Sequence, residues 1–337
     1  MSVYSVKLKS LGEMSQLPDS QKIFGALVYL LLANPEYGPI DDFITCVKKD
    51  ESTFALSSLL PTLKKDSYDV DGGLYFPVPK SYVERRALEK GDCISTNDQK
   101  RFYSELKKCD FMKVEDIEKI IKEPKELFNK TPLSYLRICT EQQVHVNTEE
   151  EQKNLIFSVQ RIVFKDKKDV SAKPDIFEFF IRCDDDNTII KLLNEKIKEK
   201  HIFTLGKRSS QGYNLFDLKE VKKCHCLKEN IGSPAKYLNL GMLLPNLNCV
   251  DFTASSLELF TSERRRYDSG SKKWDECKER GHFISFIAPG SVVVLSKDNV
   301  ETADNFKPIN VGKCVPLPAD GKGIVFGKSF LYPLEGI

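Results

Sequence analysis

The succession of strand and helix signals along the chain predicts an α+β protein. Residues 3–9 alternate, with Val3, Ser5, Lys7 and Lys9 on one side and Tyr4, Val6 and Leu8 on the other. That is the period of a half-buried strand. An apolar helical pattern follows from Lys22 to about Ala33, behind Pro18-Asp19-Ser20. The same strand-then-helix order returns further on, in residues 176–200.

Each element has a local cause. Asp19 or Ser20 supplies an N-cap acceptor for the first helix, and Asn34-Pro35 ends it. Residues 54–60 and 74–78 read as short strands, separated by a polar turn that closes on Asp71-Gly72-Gly73. Residues 80–135 are mostly charged and helical in pattern, with 114–122 the clearest helix; they read as an insertion or lid without a core of their own. Residues 155–164 and 176–183 are rich in β-branched and aromatic side chains, with Lys165-Asp166-Lys167-Lys168-Asp169 as a charged hairpin tip between them. Asp184-Asp185-Asp186 reads as a helix cap with excess charge, and an amphipathic helix follows over 188–200. Residues 202–205 and 213–218 are strands on either side of a glycine-bearing loop.

The resulting order is β-α-β-β-α-β with one large insertion, a ferredoxin-like (RRM-like) unit. A second such unit is expected after it, with strands at 237–244, 283–288, 292–296 and 324–331 and a helix around 255–262. The chain therefore divides into residues 1–220, carrying a mostly helical insertion around 80–150 and the loop at 206–212, and residues 221–337. A G-K-x4-G pattern occurs twice, at Gly206-Lys207…Gly212 and Gly321-Lys322…Gly327, each time before an aromatic strand.

Composition narrows the function. Lys+Arg (51) and Asp+Glu (49) leave a net charge of +2, so any nucleic-acid binding must come from local patches. No apolar run reaches the roughly 18–20 residues of a membrane span. The alternating first ten residues lack the pattern of a signal peptide, which leads us to expect a cytoplasmic protein without a membrane partner. The ten cysteines are scattered, and Cys224-His225-Cys226 has no second ligand pair at zinc spacing, so no metal or other cofactor is expected.

The loop Gly206-Lys207-Arg208-Ser209-Ser210-Gln211-Gly212-Tyr213 is the feature most suggestive of chemistry. It is not a Walker loop. His201 stands where the leading glycine belongs, Arg208 where the final Ser or Thr belongs, and the loop opens a strand instead of a helix. Glycines let a main chain approach phosphates, Lys207 and Arg208 add charge, Ser209 and Ser210 offer hydroxyls, and Tyr213 could stack on a base. Single-stranded RNA fits this set; a solvated turn is the alternative.

Several stretches in order resemble the RAMP superfamily, the RNA-binding proteins of CRISPR–Cas systems. The loop resembles that family's glycine-rich loop. Leu17-Pro18-Asp19-Ser20-Gln21-Lys22-Ile23-Phe24-Gly25-Ala26-Leu27 resembles its N-terminal S-D-x-[LI]-F-[SG]-A segment, with Pro18 where a histidine is usual and the S-D order inverted. Ser58-Leu59-Leu60-Pro61, Tyr75-Phe76-Pro77-Val78-Pro79-Lys80, Pro289-Gly290-Ser291-Val292 and the closing GIVFGKSFLYP at 323–333 are similar to later family segments. Within the superfamily, the Cas5-like fourth-subunit family of type III-A (Csm) complexes matches best.

The resemblance implies two ferredoxin-like domains and a subunit that is not an enzyme and has no catalytic residues. It implies binding of the repeat-derived 5′ handle of the CRISPR RNA, with a Cas10-type large subunit and a backbone RAMP subunit as partners. The RNA-binding residues expected are Gly206, Lys207, Arg208, Ser209, Ser210, Gln211, Gly212 and Tyr213 in the loop. Asp19, Ser20 and Lys22 are expected at the first helix, with His145, Arg264 and Arg265 further along. Two rival readings are a RAMP endoribonuclease, which needs a general acid–base histidine, and a scaffold that touches only protein. The four histidines, 145, 201, 225 and 282, all lie away from the first helix.

Overall fold

The computed structural model describes residues 1–49, 52–63, 73–91, 96–145, 155–165, 171–172, 174–185, 187–206, 208–224, 236–264, 282–296, 311–316 and 324–334. Strand β1 (Ser2–Ser10) is followed by helices α1 (Ser20–Leu32) and α2 (Ile40–Lys48). Asp19 caps α1 as expected, its Oδ1 accepting the Lys22 N–H at 2.9 Å. The next strands are β2 (Ala55–Leu56), β3 (Leu60–Leu63) and β4 (Gly73–Pro77). The 54–60 run is therefore split, because Ser57 leaves the sheet: its Oγ accepts the Phe180 N–H and donates to the Ser58 carbonyl.

Helices α3 (Lys80–Glu89), α4 (Thr96–Lys108) and α5 (Val114–Lys122) flank the short strand β5 (Phe111–Lys113). The region is neither a lid nor purely helical. Tyr82, Val83, Phe102, Leu106, Met112, Ile117, Ile120 and Ile121 are buried in the same core as β1, and β5 pairs with β4 at the edge of the main sheet. Charged residues fill the outer faces of these helices, and a narrow apolar stripe on each joins the core.

Strands β6 (Ser134–His145) and β7 (Leu155–Lys165) form a long antiparallel hairpin, so the end of the expected insertion is strand. β7 pairs with β6 and with β8 (Ser171–Ala172), which corrects the hairpin expected between 155–164 and Ile176–Cys183. The latter segment is β9, and it pairs instead with β1, β2 and β3. Asn187, not the aspartate run, caps α6 (Thr188–Lys198); Asp185 instead takes Lys223 Nζ at 2.8 Å and the Ser2 hydroxyl. β10 (Ile202–Thr204) and β11 (Leu215–Lys223) complete the sheet.

The sheet runs β10-β11-β1-β9-β3-β4-β5 with every neighbour antiparallel. The connection through α1 joins β1 to β3 with β9 between them, and α6 joins β9 to β11 with β1 between them. These two split crossovers are the β-α-β-β-α-β arrangement predicted from the residue pattern. Tyr4, Val6 and Leu8 are buried with Leu27 and Leu31 of α1 and Leu192 and Leu193 of α6.

The second half contributes β12 (Lys236–Asn239), β13 (Leu259–Arg264), β14 (His282–Ile287), β15 (Val292–Val294), β16 (Val315–Pro316), β17 (Ile324–Val325) and β18 (Leu331–Pro333). They pair as β15-β12-β18, β13-β14 and β16-β17. The helix expected around 255–262 is absent: Leu259–Arg264 is paired strand, each residue held by a partner 18 to 28 positions further along the chain. Among the described residues of 221–337 there is no α-helix. The two halves share core. Phe326 stacks on Phe24 at 4.5 Å, the Leu56 and Phe330 backbones bond across, and Ser58 N–H reaches the Leu240 carbonyl at 2.7 Å.

Candidate nucleic-acid interface

The loop that β10 and β11 hold between them has an unusual backbone. Gly206 (φ +141°), Arg208 (+66°), Gly212 (+84°) and Asn214 (+56°) all have positive φ. Between them a single 3-10 turn, Ser209–Gln211, closes with Gly212 N–H on the Ser209 carbonyl at 2.9 Å. Ser210, Gln211 and Gly212 are exposed, and Arg208 and Ser209 half-buried. Arg208 Nη1 donates to Gln211 Oε1 at 3.0 Å. A left-handed arginine costs about 1 kcal/mol that glycine would not, so neighbouring contacts must impose this shape.

Those contacts come from the β1–α1 connection, residues 12–16. Asn214, fully buried, accepts the Ser15 N–H at Oδ1 (3.1 Å) and donates from Nδ2 to Ser15 Oγ (2.9 Å). Its own N–H goes to the Glu13 carbonyl at 2.9 Å, and its carbonyl accepts the Leu205 N–H at 3.0 Å. The two loops touch at Gly12, where a Cβ would lie 2.4 Å from the Gly212 carbonyl oxygen. The hairpin base joins them: Ile162 N–H bonds the Met14 carbonyl at 2.8 Å, and Arg161 Nη1 pairs with Glu13 Oε1 at 2.6 Å. Three segments, 12–16, 206–214 and the base of β7, therefore meet at one place.

Some expected residues have other occupations. Tyr213 is 7% exposed, so its ring is packed inside and unable to stack on a base. Ser20 is fully buried with its Oγ accepting the Met242 N–H at 2.9 Å, tying α1 to the second half. Asp19 is buried as the α1 cap, and Lys22 Nζ folds back on it at 2.8 Å. These two constitute a neutral pair at the start of α1, since the carboxylate offsets the lysine's charge. His145 ends β6 opposite Leu155, seven residues along β7 from Ile162, which places its backbone about 23 Å along the hairpin from the loop. Arg264 ends β13 opposite His282 on the second-half hairpin. Lys207, Arg265, Arg266, Lys167, Lys168, His225, Cys226, Gly321 and Lys322 lie outside the described residues.

Four residues of the site carried little signal in sequence. Gly12 and Gln16 lie between the first strand and helix expected from the sequence, Arg161 inside the strand expected over 155–164, and Asn214 inside the one expected over 213–218. The Gly-Tyr-Asn order after a serine-rich turn was the available hint, since asparagine tolerates the left-handed region.

On the sheet face opposite α1 and α6, charge is arranged in depth. Lys7 and Glu220 pair at 2.7 Å near the surface, and the hydrogen bond raises the lysine's pKa and lowers the glutamate's. Beneath them Glu178 is buried and accepts the Ser5 hydroxyl; burial pushes its carboxyl up, against the opposing hydrogen bond and the Lys7 charge. Burial, aided by Asp184 and Asp185, pushes the Cys183 thiol up to about 12. His201 is lowered by burial and then by Lys196. Among the described residues, no group of His, Cys, Asp and Glu is arranged to hold a metal ion, and no helix is long and apolar enough to cross a membrane.

No protein-family model matches the sequence, and no curated protein matches it. Solved structures do. A chain of a Csm1–Csm4 cassette crystallised in complex with cA4 superposes with a TM-score of 0.55 at 16% identity, over 99% of this chain and 98% of that one. A Csm1–Csm4 cassette in complex with AMPPNP gives 0.54 at 17%, again over 99% and 98%. A Csm3–Csm4 subcomplex of the type III-A CRISPR-Cas interference complex gives 0.51 at 16%, over 99% of each chain. At this identity the likeness is one of fold, and it extends over essentially the whole molecule.

Proposed function

We propose that this chain is the RNA-binding foot subunit of a type III-A CRISPR effector complex, corresponding to Csm4. In this role it holds the 5′ repeat-derived handle of the CRISPR RNA and docks a Cas10-type large subunit and a backbone RAMP subunit. One observation carries the reading. The whole chain superposes on chains from two kinds of sub-assembly, Csm1–Csm4 and Csm3–Csm4, and the subunit common to both names is Csm4. The turn at 209–212, exposed from Ser210 onward and with positive-φ flanks, supports placing the handle there. Backbone and hydroxyl groups give sequence-independent phosphate contacts, and Arg208 adds charge. In this reading the chain does no chemistry of its own and works in the cytoplasm.

The endoribonuclease reading needs an acid–base group within reach of the RNA. His201 is the one histidine with a described side chain; it precedes β10 while the loop follows that strand, and its pKa is lowered by burial.

The test is binding by the assembled complex. Co-expressed with the large subunit, the backbone subunit and a CRISPR RNA, the chain should co-purify with all three. Replacing Lys207 and Arg208 together by Ala should weaken handle binding and reduce the slope of log K against log salt by about 1.4, two single-strand phosphate contacts. Parent-like binding across the whole titration would return the loop to a solvated turn. Cleavage of repeat RNA abolished by His201→Ala would establish the endoribonuclease instead.

A further inference from the structure

We propose that Asn214 is the positioning residue of this interface: it fixes the 206–212 loop by clasping the β1–α1 connection, without touching the RNA itself. The inference rests on the loop being the handle site.

The geometry has three independent parts. First, Asn214 is fully buried and left-handed (φ +56°), and its side-chain amide makes a paired bond to one residue, taking the Ser15 N–H and giving to Ser15 Oγ. Second, its backbone closes both sides of the junction, N–H to Glu13 and carbonyl to Leu205. Third, the other end of the loop is shaped around that amide. A Cβ on Gly206 would stand 3.1 Å from Asn214 Nδ2, 3.3 Å from its Cγ and 3.2 Å from Gln16 Nε2. The glycine at the loop entrance thus sits close against the asparagine at its exit, in a backbone state (φ +141°) that itself favours glycine. The four positive-φ positions, Gly206, Arg208, Gly212 and Asn214, set the shape that presents the Ser209–Gln211 turn, and Asn214 anchors it to residues 13–15. Holding that shape before RNA arrives removes an ordering cost from binding.

The side-chain clasp can be separated from the backbone requirement. Asn214→Gly keeps the left-handed conformation without strain and deletes only the amide. The prediction is made for the assembled complex with a synthetic single-stranded RNA carrying the 5′ handle. Asn214→Gly should weaken binding about tenfold, because the binding-competent loop becomes a minor population. The salt slope should stay that of the parent, since no cation is removed. Ser15→Ala should weaken binding too, and the double variant should be no worse than Asn214→Gly alone, as expected for two halves of one contact. Amide exchange should accelerate in 206–214 and remain slow in β1 and β9.

Parent-like affinity of Asn214→Gly while the Lys207/Arg208 variant is defective overturns the positioning role and leaves the handle site standing. Parent-like affinity of both variants overturns the handle site. A loss accompanied by a changed salt slope, or by faster exchange throughout the sheet, also overturns the positioning role, because it means direct contact or general unfolding.

Discussion

The loop glycines Gly206 and Gly212 and the Gly327-Lys328 pair are used in opposite ways. Gly206 and Gly212 bracket a loop at the surface and are needed for its positive φ, and the neighbouring Arg208 keeps its guanidinium at the exposed turn. Gly327 is buried and its need is for space: a Cβ there would lie 2.4 Å from both Leu244 Cβ and the Lys313 carbonyl oxygen. Lys328 is fully buried, and its ammonium donates to the carbonyl of Lys49, the residue that ends α2. A cation at a helix C-terminus satisfies an orphan carbonyl and meets the negative end of the dipole. Glycine therefore serves backbone shape in one place, and close packing in the other. Glycine-and-cation composition does not by itself mark a ligand loop; the surroundings decide.

The sharpest way to break this comparison is to add one methyl group to each region. Gly327→Ala forces atoms into Leu244 and the 313 backbone and should cost about 3 kcal/mol of stability. Gly212→Ala meets open space and only a backbone penalty, about 1 kcal/mol. Urea midpoints measure both. RNA affinity at equal folded fraction should rank the other way, with Gly212→Ala the more damaging. Equal stability losses would mean the two glycines serve the same purpose.

How far the residue pattern went follows the same division between local and remote causes. The α1 cap, the span Val114–Lys122 and the buried face of α6 rest on local signals, and each was legible. So was the glycine loop, whose residue types already pointed to exposure. The pairing of Leu259–Arg264 was hidden because its partner lies beyond a long intervening segment, while the serines at 255 and 256 resembled a helix start. The core role of α3 to α5 was hidden by composition, since Phe102 and Leu106 or Ile117, Ile120 and Ile121 occupy narrow stripes among charges. Tyr213 was misplaced because an aromatic beside a glycine loop looks the same whether it points out or in. Asn214 was missed because its partner, Ser15, is distant in sequence.

A smaller effect comes from two other residues that share one backbone state. Lys200 (φ +55°) follows the α6 cap, with its N–H on the Ile197 carbonyl at 3.1 Å and the His201 N–H on Lys196 at 3.0 Å. That is a Schellman ending with lysine where glycine is usual. Arg208 holds nearly the same φ inside the loop. Replacing either by glycine relieves the left-handed Cβ clash and should stabilise the fold by up to about 1 kcal/mol, less the entropy glycine adds to the unfolded chain. The pair differs in RNA binding: Lys200→Gly should leave it unchanged, whereas Arg208→Gly should weaken it. Thermal midpoints together with handle titrations test both.

The smallest effect concerns two glutamates that divide, like the two glycine regions, into exposed and buried. Glu13 is exposed and engaged with Arg161, whereas Glu178 is buried beneath Lys7 and Glu220. Burial raises the Glu178 carboxyl above its ordinary 4.5. The folded chain therefore holds that proton more tightly than the unfolded chain does. Its contribution to stability is fully present below pH 4.5 and is lost as pH rises through the folded-state value. Glu178→Gln keeps an acceptor for the Ser5 hydroxyl and cannot ionise, so that component of the pH dependence should vanish. Stability measured by urea unfolding between pH 4 and pH 7 should then differ progressively between parent and variant, with the variant relatively more stable toward neutral pH. If the parent and Glu178→Gln profiles stay parallel, Glu178 ionises as freely as a surface carboxylate, and the distinction between buried and exposed charge does not hold on this sheet face.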